Sequence, residues 1–255
     1  MKLFSSYRSR VLEDLAHLLQ SGEAPSIHRL EAALGKNVVA ALGPELDELR
    51  AQGWTCQQIA QLAFVLVNDR KERERLWSWV VSGPMQDGVP TRDTGVVYRS
   101  LVQEAQEEIL LTSYALYRGR ELLEPLYKRI LEVPGLRIRM ILDISRPYRD
   151  TTASDVIIRR FTSEFVTKHW PWTPLPEVWY DPRALDLDPV RKAVLHAKCV
   201  IVDRQVALVT SANLTHAAQE KNIEAGVLVR DPEKAGSLQD FFESLIKHGV
   251  LEMLK

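Results

Sequence analysis

The stretch His196–Glu224, HAKCVIVDRQVALVTSANLTHAAQEKNIE, decides how the rest of the chain is read. From Leu195 to Val202 it is apolar and β-branched apart from His196 and Lys198, the texture of a buried central strand interrupted by two polar side chains. Side chains alternate along a strand, so His196 and Lys198 share one face, about 7 Å apart at roughly 3.3 Å per residue. A second apolar run follows from Val206 to Thr210. If Arg204 and Gln205 form a two-residue hairpin loop, Asp203 stands opposite Val206, Lys198 opposite Ser211 and His196 opposite Asn213, and the polar groups gather on one face. Arg204-Gln205 is not a favoured turn pair, and a slip of one residue would scatter the set over both faces.

Imidazoles titrate near neutral pH, so His196 can attack an electrophile directly and form a covalent intermediate. The Lys198 ammonium beside it selects an anionic electrophile. The Asn213 amide and the Ser211 hydroxyl add neutral donors for the non-bridging oxygens of a phosphate. Glu224 can bond to one ring nitrogen and so fix the imidazole tautomer. A core histidine with a satisfied neighbour is the plain alternative, and the added Ser and Asn weigh against it.

His-x-Lys-x-x-x-x-Asp, then Ser-x-Asn, then a downstream carboxylate resembles the signature of the phospholipase D superfamily, at His196, Lys198, Asp203, Ser211, Asn213 and Glu224. Thr210 stands where that family usually has Gly. The resemblance implies a phosphohistidine at His196, phosphate binding by Lys198, Ser211 and Asn213, orientation by Glu224, a structural Asp203, and no metal or other cofactor. Chemistry of this type uses two histidines, a nucleophile and a general acid for the leaving oxygen. Here there is a single His-x-Lys pattern; His17, His28, His169, His216 and His248 lack the lysine. Resemblance to single-motif members therefore implies a homodimer that brings His196 of each copy to one cleft. Ser113–Arg120, SYALYRGR, and the segment 79–94 further resemble the phospholipase-D-like members of DISARM, a bacterial anti-phage defence system. That implies nucleic acid, DNA above all, and other defence proteins as partners.

Composition sets the limits. The chain has 255 residues, 45% hydrophobic and 26% charged, ordinary for a globular protein, and its formal net charge is −1. It lacks the overall positive field of a dedicated nucleic-acid binder, so any such site is a local patch. Cys56 and Cys199 belong to no metal-ligand or disulfide pattern and read as buried free thiols. No run approaches the roughly 18 apolar residues of a membrane span, so no membrane partner is expected and a cytoplasmic location is.

Before residue 90 the spacing predicts helices only: Arg8 to Leu19, Leu34 reached from a Ser26 cap, a third begun by Pro44, and a fourth opened by a Thr55/Gln58 capping box and running to Val80. The charged run 68–75 reads as a solvated helix face, with phosphate contact by Arg70, Lys71, Arg73 and Arg75 as its alternative. Gly and Pro punctuation at 82–90 separates a helical region, 1–85, from a catalytic domain, 90–255. There strands (108–115, 136–144, 177–180, the hairpin, 223–229) alternate with helices (96–107, 121–132, 154–169, 232–248). The fold class is α/β, a phospholipase D-like half-domain with a mixed sheet flanked by helices. Arg183, Arg191 and Lys192, just before the catalytic strand, are candidate nucleic-acid contacts, with a solvated loop as the alternative. Trp170, Trp172, Trp179 and Tyr180 are either a stacking platform for bases or packing aromatics. The expected function is a metal-independent nuclease in DISARM-type defence. The alternatives are a non-catalytic nucleic-acid-binding module of a defence complex and a hydrolase of phospholipid or small phosphodiesters.

Overall fold

The computed structural model describes residues 4, 6–83, 93–117, 119–215 and 222–254. The chain divides into two compact units, Met1–Leu76 and Trp77–Lys255.

The first unit is built on α1 (Ser9–Leu19), α2 (Ile27–Leu34), α3 (Lys36–Ala51) and α4 (Cys56–Arg75). Leu12, Leu15 and Leu19 of α1 lie at helical spacing and are fully buried with Leu42, Leu49 and Ile59. Ser26 caps α2 and the Thr55/Gln58 box caps α4, as their sequences predict. Two helix boundaries differ from expectation. Helix α3 starts at Lys36 and carries Pro44 in its interior, because Val39, Leu42, Leu46 and Leu49 form one buried stripe whose packing outweighs the single backbone bond a proline removes. Helix α4 stops at Arg75 rather than Val80. On its charged run, Arg70 donates to the carbonyls of Phe4 and Tyr7, Lys71 pairs with Glu13 at 3.0 Å and Arg73 with Asp69 at 3.0 Å.

In the second unit the segment expected to end that helix is instead strand β1 (Trp77–Ser82). Its aromatic and β-branched residues suit a strand, and it pairs antiparallel with β9 (Glu224–Val229), from Trp77 opposite Val229 to Ser82 opposite Glu224. The other main strands are β2 (Glu108–Ser113), β4 (Arg137–Leu142), β5 (Glu177–Tyr180), β6 (Cys199–Val202), β7 (Val206–Thr210) and β10 (Glu252–Met253). Together they form an eight-stranded mixed sheet in the order β1-β9-β7-β6-β2-β4-β5-β10. Strands β2, β4 and β5 run parallel, and the remaining pairings are antiparallel. A small parallel pair joins β3 (Leu116–Tyr117) to β8 (Leu214–Thr215).

Period-two alternation sends the strands' side chains to two cores. Ile109, Leu111, Ile138, Met140 and Val200 pack with Leu101 of α5 (Thr94–Glu104) and Leu123 and Leu126 of α6 (Gly119–Glu132). Leu110, Ile141, Ile201 and Ala207 pack on the opposite face with Ala235 and Phe242 of α8 (Pro232–Lys247). Helix α7 (Ser154–Glu164) continues into one π-helical turn, Phe165–His169. The aromatics beyond it are used in packing: Trp170 is fully buried with its indole N–H on the Pro174 carbonyl at 2.9 Å, and Trp172 stacks on Tyr127.

The hairpin forms, but in a register one residue away from the expected one. Val202 pairs with Val206 and Cys199 with Val209, leaving Asp203, Arg204 and Gln205 as a three-residue loop. Asp203 and Arg204 both take left-handed backbone angles, φ 51° and 57°. Aspartate tolerates that region, so the turn begins at Asp203 and takes it out of the strand.

Candidate active site

One end of the sheet collects the site. The C-terminal ends of β1, β2, β4 and β7 and the N-terminal ends of β6 and β9 lie there together, as the pairings of Ser82 with Glu224, Thr112 with Cys199 and Ser113 with Leu142 require. Ligands of open α/β sheets bind at the carboxyl ends of their parallel strands. His196 and Lys198 sit just before β6, outside its regular ladder, yet keep the i, i+2 relation expected of them. The Lys198 ammonium lies 3.2 Å from His196 Nδ1 and donates to the His196 carbonyl at 2.8 Å. His196 is exposed, whereas Lys198 is only 7% exposed.

The slipped register places Thr210, not Ser211, beside Lys198, and the Thr210 N–H donates to the Lys198 carbonyl at 3.0 Å. Lys198, Thr210 and Asn213 line one small recess with Thr94 and Thr112. The buried Asn213 Oδ1 has no hydrogen-bond partner among the described residues. Ser211 has turned away to β9. Its hydroxyl donates to Glu224 Oε2 at 2.5 Å and accepts from the Ala225 N–H at 3.1 Å. Asn222 donates to the other Glu224 oxygen at 3.2 Å. No hydrogen bond joins Glu224 to His196. Burial lowers the Lys198 ammonium below the usual lysine range, and the nearby Glu224 charge only partly offsets it.

Asp203 is at the far end of β6. Its carboxylate accepts the backbone N–H groups of Gln106, Glu107 and Glu108, each at 2.8 Å, and so fixes the entry into β2. The three basic residues named as nucleic-acid contacts are engaged locally. Arg183 makes a forked pair with Asp181, its Nη2 at 2.7 Å; Arg191 faces Asp186 and Asp188 at 3.3 and 3.4 Å; Lys192 donates to the Arg146 carbonyl at 2.7 Å.

Sequence reasoning missed Tyr114. Its ring lies 5.1 Å from the His196 ring and 5.7 Å from the Lys198 ammonium, a cation–π distance. Its place directly after β2, the strand that pairs with β6, is the signal that could have found it. Gly226 was missed too. It stands opposite Thr210, and a Cβ there would lie 2.6 Å from the Val209 carbonyl oxygen and 2.8 Å from Thr210 Cβ. The bulk that Thr210 brings to a position where Gly is usual is thus matched by a glycine across the ladder.

An imidazole beside a buried ammonium, with an amide lining the same recess as the ammonium, is a set of groups that can receive a phosphodiester. Among the described residues, no group of three or more His, Cys, Asp or Glu could hold a metal ion, and no helix is long and apolar enough to cross a membrane.

With this geometry in hand, the chain belongs to the phospholipase D-like family: residues 98–246 match the domain described as cardiolipin synthase, PLD-like domain. Over 249 residues it is 26% identical to the DISARM protein DrmC of Bacillus paralicheniformis, covering 96% of this chain and 95% of that one. Among solved structures it resembles the phospholipase D family member Nuc from Salmonella typhimurium (TM-score 0.44, 18% identity, 69% of this chain and 97% of that chain). It also resembles phosphatidylserine synthase of Haemophilus influenzae Rd KW20 (TM-score 0.48, 20% identity, 70% and 40%).

Proposed function

We propose that this chain is a phosphodiesterase that cleaves nucleic acid, DNA in particular, without a metal ion, as part of DISARM-type defence in the bacterial cytoplasm. An unprotonated ring nitrogen of His196 attacks the phosphorus, the P–O bond to the leaving strand breaks, and the phosphoryl group, still esterified to the other strand, stays on the ring until the next step. Water then attacks the phosphohistidine and frees the imidazole. Lys198 and Asn213 hold the non-bridging oxygens, Ser211 and Glu224 form the neighbouring polar wall, and Asp203 keeps the hairpin in place. A second copy supplies the other imidazole across a two-fold axis, to protonate the leaving oxygen. The observation that carries this reading is the 3.2 Å approach of Lys198 Nζ to His196 Nδ1 at the edge of the sheet. The DISARM assignment rests on the likeness to DrmC.

One observation favours the alternative of a binding module within a defence complex: the Glu224 carboxylate is held by Ser211 and Asn222, not by the imidazole. Incubation with labelled single- and double-stranded DNA in excess EDTA, beside a His196→Ala variant, separates the two readings. Cleavage lost only in the variant supports the enzyme. DNA binding without cleavage by either protein supports the module.

A further inference from the structure

A cleft of about 570 Å³ opens beside the site, lined by Tyr114, Tyr117, Asp143, Phe161, Glu164 and His169 among others. A second hollow of about 420 Å³ continues it and shares Tyr114, Asp143, Phe161 and Glu164. Tyr114 is the hinge between cleft and chemistry, since its other neighbour is the His196 ring. Tyr114 and Tyr117 are 41% and 69% exposed, so their faces are available.

His169 is built into the wall with care. It ends the π-helical turn after α7, a local geometry found often at functional sites. Its Nδ1 accepts the Gly119 N–H at 3.2 Å, which leaves the proton of the neutral ring on Nε2. Only glycine allows that approach: a Cβ at 119 would lie 2.6 Å from His169 Nδ1. Burial lowers the imidazole below its ordinary range and keeps it neutral.

The charges in the cleft say what it does not take. Asp143 and Glu164 are acidic. Lys168 is paired with Glu164 at 3.0 Å, Arg160 of the second hollow is set against the Asp150 charge, and His169 is neutral, so a second phosphate gains nothing there. A bare cation fares no better, because Asp143 already accepts from the Leu195 N–H and the Ser145 hydroxyl, and Glu164 has its lysine. What fits is a flat, uncharged group with donors and acceptors on its edge and a face to lie on tyrosine.

We propose that this cleft seats an unpaired nucleobase next to the phosphate held by His196 and Lys198, with His169 Nε2–H as a donor to the base edge, so that the strand is single at the reacting position. The inference rests on the phosphodiesterase reading and names its substrate class. A base inside a duplex is paired and stacked and cannot enter without being extruded.

The test is binding, read by fluorescence anisotropy, of a labelled single strand, the same strand with abasic positions, and its duplex, with EDTA present. Hydrolysis of the abasic strand, which keeps the phosphodiester and lacks the base, is measured in parallel at saturating strand and reports the chemistry alone. The intact single strand is expected to bind about 10-fold more tightly than the abasic strand, as loss of one stacked base predicts. His169→Ala should narrow the gap between intact and abasic strands, and Tyr117→Ala, which removes an exposed stacking face, should close most of it, while His169→Gln, which keeps an acceptor for Gly119, controls for folding. Equal binding of intact and abasic strands, no binding of any strand, or a duplex bound as tightly as the intact single strand overturns the base seat. Absence of His196-dependent hydrolysis by a protein that still prefers intact strands overturns the phosphodiesterase reading instead.

Discussion

Lys198 carries its charge where water hardly reaches, and this has a consequence for pH. Its ammonium is held below the usual lysine range by burial, with Glu224 pulling the other way. The charged form is therefore lost at a lower pH than for a lysine in water, near 10.4. Affinity for inorganic phosphate, followed by titration calorimetry above pH 8, is expected to fall as pH rises toward that value. Lys198→Arg, whose guanidinium keeps its charge, should show a flat profile over the same range. A flat profile in the unaltered protein would mean that Lys198 does not hold the anion. At this scale the closeness of His196 and Lys198 was legible, because two polar side chains two apart in an apolar run share a face. Tyr114 and Gly226 were not, since each acts through a neighbour that only strand pairing reveals.

At the scale of elements, the hairpin is fixed from both ends. Asp203→Ala leaves three backbone N–H groups without their acceptor, which should cost about 1–3 kcal/mol. Asp203→Asn keeps the tolerance for left-handed angles and one acceptor oxygen, so its loss should be smaller; the denaturant midpoints of the two variants measure the difference. Gly226→Ala should cost about 1–3 kcal/mol by crowding the Val209 carbonyl and Thr210. Adding Thr210→Gly should return only the side-chain share, leaving the double variant still below the unaltered protein. The helices capped by Ser26 and Thr55, the central strands and α8 were readable because capping chemistry, apolar period and punctuation agreed. The start of α3, the strand β1 and the hairpin register were not. Each was decided by tertiary contacts: a buried stripe running through Pro44, pairing of residues 77–82 with β9, and an Asp203 whose side chain is needed at the start of β2.

For the molecule as a whole, strands β2 and β4 are tied to α8 by a network of charge. Glu108 accepts from Arg137 at 2.6 Å and Arg139 at 2.8 Å, Gln239 also donates to it, and Arg139 reaches Glu243 at 2.5 Å. Burial alone would raise both carboxyls, but their arginine and glutamine partners hold them below the usual glutamate range. A depressed folded pKa means that the unfolded chain takes up protons first. The network's contribution is therefore present above the unfolded value, about 4.3, and is lost as pH falls through the lower folded values. Denaturant midpoints should decline on acidification through that window, and less so in Glu108→Gln, which starts from a lower stability. The proposed reaction passes through a covalent phosphohistidine at His196. Its most direct test is to quench a reaction with a phosphodiester substrate in alkali, where a phosphoramidate survives, and map the chain by mass spectrometry. The account expects a phosphoryl adduct on His196 that is absent from His196→Ala; turnover with no adduct on His196, or an adduct on another residue, would contradict it.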